Sequence, residues 1–202
     1  MIASAGGAAR RRPWVFLACP FSASVLVLAV STSGCSPILL SPLQRQRLEA
    51  AQAFANRTTA AYHVALVRVR PSVGLRTIYH AEDRSISLDT RELDGPAWPV
   101  SLAHELGHVT LAPRGDEIRN RRDLHRIELE ANARAIEILV RVLGWPERDA
   151  VRRFAAYLVD ANDKIRSGAR RLARGHLAPC DELDDLLNRF PGTRDVPTCR
   201  RE

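Results

Sequence analysis

Two histidines four residues apart, with a glutamate beside the first, stand in the pentapeptide His104-Glu105-Leu106-Gly107-His108. The surrounding segment, Val100 to Leu111, reads as helical, and on a helix residues i and i+4 share a face. His104 and His108 can therefore offer two imidazoles to one metal ion, with Glu105 in reach of a metal-bound water. Zinc hydrolysis uses this set, the glutamate acting as general base. Two ordinary histidines on a helix would show the same spacing, so the assignment turns on a third ligand. Gly107 costs a helix about 1 kcal/mol relative to Ala. Its place between the histidines predicts that another element crosses close over it.

Beyond His108, the run Glu128-Leu129-Glu130-Ala131-Asn132 falls in a second helical stretch, Asn120 to Leu143. H-E-x-x-H on one helix followed by E-x-x-x-(D/N) on a later one resembles the gluzincin metallopeptidases. Within that group it is similar to the ImmA/IrrE-type and HtpX-like peptidases, over the stretch from Leu75 to Gly144. The resemblance implies a zincin-like domain and one Zn2+ per chain. It also implies Glu128 as the third ligand and Asn132 as the partner that orients a zinc-bound histidine. Residues 128 and 132 share a helical face, which those roles require, and such a partner also sets the imidazole tautomer. Glu130 and His125 are the alternatives for the third ligand, while His63 and His80 read as structural. The metzincin extension needs Gly at 111 and His at 114, and is excluded by Leu111 and Arg114. The chain lacks the multispan helices of the HtpX-like branch, and Arg134 stands where the ImmA/IrrE-type branch has an aromatic residue.

Three protein ligands leave a fourth zinc position for water, the mark of a catalytic site. Glu105 would take the proton of that water as it attacks a carbonyl, then pass it to the leaving amine. Tyr157 and His176 are candidates for stabilising the resulting oxyanion. The expected protein is a zinc metallopeptidase acting on a protein or peptide substrate. The alternative is a non-catalytic, zinc-stabilised binding or scaffold module. Glu105 favours the enzyme, because such a module needs the ligands but not the base. A third reading, a surface anchor using basic helices, leaves the motif coincidental.

The elements that must position these groups follow a segment of different character. Arg10, Arg11 and Arg12 precede an apolar stretch from Trp14 to Val30 and a small polar run from Ser31 to Gly34, the layout of a secretory signal. Thr32-Ser33-Gly34-Cys35 resembles a bacterial lipobox, with Thr32 in place of the usual Leu. It implies lipidation of Cys35 and tethering to a membrane of the bacterial envelope. Ordinary signal cleavage and an uncleaved anchor are the alternatives, and all three place the domain outside the cytoplasm. Residues 1–34 are then the signal, 35–42 a tether and 43–202 the domain. Cys180 and Cys199 remain as an even pair in an oxidising compartment, which predicts a disulfide.

The net charge of +7 falls to +4 once the three signal arginines leave. Export argues against nucleic acid as a partner, and the basic residues of the helical stretches read as solvated faces. A monomer is expected. Periodicity and punctuation predict a helix over Leu43–Asn56, a strand over Tyr62–Arg70, and a hairpin from Leu75–His80 and Ser85–Asp89. The histidine-bearing helix comes next, with Pro99 in its first turn. Three more helices follow: Asn120–Leu143 stopped by Gly144, Glu147–Ala173, and Asp181–Arg189. The fold class is α+β, a short antiparallel sheet followed by the active-site helix and further helices.

Overall fold

Side-chain caps set the starts of three helices, at Ser41, Asp89 and Asn120. Ser41 caps the first helix, Pro42–Ala61 (α1), through a reciprocal pair: Gln44 N–H donates to Ser41 Oγ at 3.1 Å, and Ser41 N–H donates to Gln44 Oε1 at 2.9 Å. The computed structural model describes residues 38–74, 76–111, 120–172, 176–193 and 195–199. The signal-like segment, Cys35 and residues 113–115 lie outside them. Among the described residues, no helix is long and apolar enough to cross a membrane.

The fold is α+β, with six helices and a three-stranded sheet among the described residues. The sheet consists of Arg68–Ser72 (β1), Ile78–His80 (β2) and Ser85–Asp89 (β3), in the order β1-β3-β2. The β2–β3 hairpin is antiparallel, as the sequence predicts, with Tyr79 opposite Ile86. The expected all-antiparallel sheet is corrected at β1, which pairs parallel with β3, Val69 opposite Ile86. After β1 the chain crosses to the far side, lays down β2, and returns through the middle as β3. β3 thus runs with β1 and against β2. Central position also explains why all five residues of β3 are buried despite its polar Ser85, Ser87 and Asp89.

The outer edge of β1 is closed by a side chain. Gln52 on α1 donates to Val67 C=O at 2.9 Å and accepts from Val69 N–H at 2.7 Å, so its amide acts as a short strand would. Pro71, which has no N–H to give, sits on this edge strand. The strand starts at Arg68 rather than Tyr62 because α1 runs on to Ala61. Tyr62 is then clasped by the guanidinium groups of Arg134 and Arg141, 5.2 and 5.3 Å from its ring centre.

A short helix that the sequence pattern does not announce, Thr90–Asp94 (α2), follows β3 directly, and Asp89 caps it by accepting from Arg91 N–H at 3.0 Å. The histidine-bearing helix is Trp98–Leu111 (α3). Next is Arg121–Leu143 (α4), capped by Asn120 and ended by Gly144 in the left-handed region at φ 71°. The helix Glu147–Arg166 (α5) ends earlier than its sequence predicts, at Ser167 and Gly168, whose φ is 75°. The last is Pro179–Arg189 (α6). Phe54, Leu102, Leu106, Ile136, Leu139 and Phe154 form the centre of the core, where α1, α3, α4 and α5 meet.

Cys180 and Cys199 are joined by a disulfide with Cα atoms 5.7 Å apart, tying the start of α6 to the C-terminal segment. It closes a loop of 19 residues, which corresponds to about 3 kcal/mol of loop-closure entropy. Replacing both cysteines by serine is therefore expected to lower the unfolding free energy by about that amount, read from denaturant melts. Equal stability of the two proteins would show that the loop is held by other contacts.

Candidate metal centre

The histidine spacing on α3 does what helical geometry requires. The His104 and His108 rings lie one turn apart, centres 4.7 Å apart and mutually perpendicular, with their Nε2 atoms 3.2 Å apart. From α4, Glu128 brings Oε2 to 3.3 Å from His104 Nε2 and 3.6 Å from His108 Nε2. The three ligand atoms fall within 4.8 Å of one another, and the group could hold a metal ion. A tetrahedral site with bonds of about 2.0–2.2 Å has edges of about 3.3–3.6 Å. The observed separations of 3.2, 3.3 and 3.6 Å are close to those edges. Two imidazoles and one carboxylate are also a borderline N,N,O set suited to a first-row divalent cation.

Backbone proximity makes the meeting possible. A Cβ on Gly107 would lie 2.6 Å from the Ala131 carbonyl oxygen. The predicted close crossing is thus α4 itself, with Gly107 between the two histidines and Ala131 between Glu128 and Asn132. The helix surrenders propensity at 107 so that two backbones can touch. Behind the site, His104 Nδ1 donates to Asn132 Oδ1 at 2.7 Å. Asn132 is 1% exposed, and its Nδ2 donates in turn to Glu182 Oε2 at 3.0 Å. Glu105 lies on the sheet side of α3, where its Oε2 accepts the Tyr79 N–H of β2 at 2.8 Å.

Charge is concentrated here. Burial works against the ionised form of Glu128, yet hydrogen bonds from His104 and His108 and their positive charge hold its carboxyl well below the usual range. Burial would depress His104, but the Glu128 hydrogen bond and the carboxylates of Glu105, Glu128 and Glu182 raise it to about 9. A cation entering the site displaces the proton this pair holds. Burial raises Glu105, opposed by the two histidines and by the Tyr79 N–H. Burial raises Glu182 in the same way, opposed by Asn132.

The other sequence candidates separate cleanly. Glu130 points to the exposed face of α4 and pairs with Arg126 at 2.9 Å. His125 lies outside the cluster, its Nε2 buried without a hydrogen-bond partner. His80 shares a hydrogen bond with Ser87 Oγ at 2.9 Å, and His63 occupies a turn at φ 53°. His176 does reach the site, with Nδ1 3.5 Å from Glu128 Oε1. Burial lowers His176, as do the Arg76 charge and the two histidines, against the pull of Glu128. Tyr157, on α5, is raised by burial and by the carboxylates Glu92 and Glu105, with Arg170 hydrogen-bonded to it in opposition.

Two contributors carry no signal in the sequence. Tyr79 acts through its backbone, which no side-chain pattern can announce. Glu182 stands with Asp181 in the first turn of α6, ahead of Asp184 and Asp185, and acidic residues there are what the helix dipole alone favours. No protein-family model, curated protein or solved structure matches the chain.

Gly107→Ala tests the crossing. The added methyl gains about 1 kcal/mol of helix propensity but must drive α3 from α4, an overpacking cost of about 1–3 kcal/mol. Lower stability in thermal melts together with weakened metal binding is expected. A variant that binds metal as well as the parent would show that the helices can separate without moving the ligands.

Proposed function

We propose that the protein is a zinc-dependent metallopeptidase of the bacterial cell envelope, with His104, His108 and Glu128 as zinc ligands and Glu105 as general base. One observation carries the reading: the three candidate ligand atoms lie 3.2, 3.3 and 3.6 Å apart, close to the edge lengths of a tetrahedral site, beside the half-buried carboxylate of Glu105, which is not one of them. A zinc ion there would act as a Lewis acid and bring a water's pKa towards ~7.

The chain's own residues divide the remaining work. The Tyr79 N–H pins one oxygen of Glu105, which leaves the other to accept the proton of the attacking water and return it to the leaving amine. Asn132 holds the His104 ring in place from behind. His176, against Glu128, and Tyr157, within the field of Glu105, are the groups from which a donor to the developing oxyanion would come. Peptide bonds as the substrate follow from the resemblance to gluzincins. Export agrees with the Cys180–Cys199 disulfide, because such bonds persist in oxidising compartments. Lipidation at Cys35 would hold the domain at a membrane.

Elemental analysis of the dialysed full chain is expected to find one zinc per molecule, lost in Glu128→Ala and retained in Glu105→Gln. Against a peptide pool, Glu105→Gln should lose hydrolysis by at least about 10²-fold, the low end of a general base's contribution. A folded parent without metal would sink the assignment. Undiminished cleavage by Glu105→Gln would remove the base role while leaving the zinc. For the anchor, Cys35→Ser should move the protein from the membrane to the soluble fraction and abolish incorporation of a labelled fatty acid. Unchanged fractionation and labelling would contradict lipidation at that cysteine.

A further inference from the structure

Of the acidic residues opening α6, Glu182 alone is turned into the protein. Asp181 and Asp184 are exposed, whereas Glu182 is 9% exposed and lies under the helices that carry the metal site. A buried carboxylate is expensive unless something needs it and hydrogen-bonds it. Its partner is Asn132, whose Nδ2 reaches Glu182 Oε2 at 3.0 Å while Oδ1 reaches His104 Nδ1 at 2.7 Å. The three side chains form one line from α6 through α4 to α3.

We propose that Glu182 is a positioning residue for the metal centre, acting through Asn132 to set the tautomer and orientation of His104. The inference rests on the metal-centre reading above. An asparagine amide has two faces of nearly equal shape but opposite polarity. Turned by 180°, Asn132 would offer its NH2 to His104 Nδ1, which would then have to accept. The ring proton would move to Nε2, the atom that faces His108 and Glu128, and the lone pair needed by a metal would be gone. Asn132 by itself cannot exclude that arrangement.

A carboxylate can, because it only accepts. With Glu182 on one side, Nδ2 must point to it. Oδ1 then faces His104, Nδ1 keeps its proton, and Nε2 presents its lone pair to the site. Burial raises the stakes, since either reversed contact would leave polar atoms unpaired in the interior. The backbone around Glu182 is firmly placed: Pro179 occupies the first turn of α6, and Cys180, two residues before Glu182, is bonded to Cys199. The acceptor is thereby held where Asn132 can find it in one orientation only.

The test compares zinc affinity of the full chain and its variants by competition with a chromophoric chelator, alongside visible spectra of the Co2+ forms. Glu182→Ala is expected to weaken zinc binding about 10–100-fold, the range for a ligand's supporting partner, and Asn132→Ala by a similar factor. If the two act in series, Glu182→Ala/Asn132→Ala should bind no more than about threefold more weakly than Asn132→Ala alone. Glu182→Gln, whose side-chain carbonyl can accept at the same place, should recover part of the lost affinity and the parental cobalt bands. Melting of each variant in chelator reports folding. Should Glu182→Ala not fold, Glu182→Met keeps the volume without the acceptor and takes its place.

Unchanged affinity in the Ala or Met variant overturns the proposal. So does an additive loss in the double variant, or a Gln variant no better than Ala, each of which marks Glu182 as a packing residue only. A parent that binds neither zinc nor cobalt brings down the metal-centre reading, and this inference with it. Parental binding with indifferent Glu182 variants brings down this inference alone.

Discussion

Helices ordinarily stand 8–10 Å apart because side chains keep them there. At Gly107 that spacer is missing, and the α3 backbone comes down onto the Ala131 carbonyl of α4. The candidate metal-binding group depends on this contact. It sits between the two histidines on one helix and between Glu128 and Asn132 on the other. The close approach lets Glu128 on α4 come within 3.3 Å of one imidazole and 3.6 Å of the other. It also lets the short side chain of Asn132 reach the back of His104. One glycine permits the separation, and the three candidate metal-binding side chains and Asn132 lie around it.

A cluster of that kind is costly to bury, and the surrounding structure is arranged to bear it. Glu128 is offset by His104 and His108, Asn132 is satisfied at both ends, and Glu105 is met by a backbone N–H from β2. The neighbouring Glu92 is met by the hydroxyls of Thr77 and Ser101. Buried polar networks of this sort rigidify a site when every member is paired. The sheet contributes chiefly as a platform. β3, buried in the middle, carries β2 along its edge, and β2 in turn fixes Glu105. Closure of the opposite edge by Gln52 binds α1 to the sheet from the other side.

Much of the helical framework is legible in the residues alone. The boundaries of α3 and α4 follow from Pro99, the Asn120 cap and Gly144, and β3 occupies the very residues its alternation marks. Local rules fail where one of longer range takes over. β1 lies parallel to β3 because of a crossover, which residue alternation within a strand does not record. α2 gives no periodic signal because five residues are too few for one, although Asp89 and Glu92 have the spacing of a capped start. α5 stops short of its expected end because its amphipathic pattern continues past the Ser167–Gly168 stop.

The sequence by itself determined which residues could bind a metal as a pair, since residues i and i+4 on one helix are neighbours whatever else the chain does. It likewise determined the Asn120 cap, the left-handed stop at Gly144 and the availability of Cys180 and Cys199 for one another. Tertiary structure decided the rest of the site. That Glu128 and not Glu130 turns inward depends on which face of α4 meets Gly107. That Asn132 is held by Glu182, 50 residues away, depends on where α6 docks. Local spacing is written in the chain because the helix is a rigid ruler over a few turns. Contacts between helices are chosen by packing, where a missing methyl or a buried carboxylate counts only once its neighbours are in place.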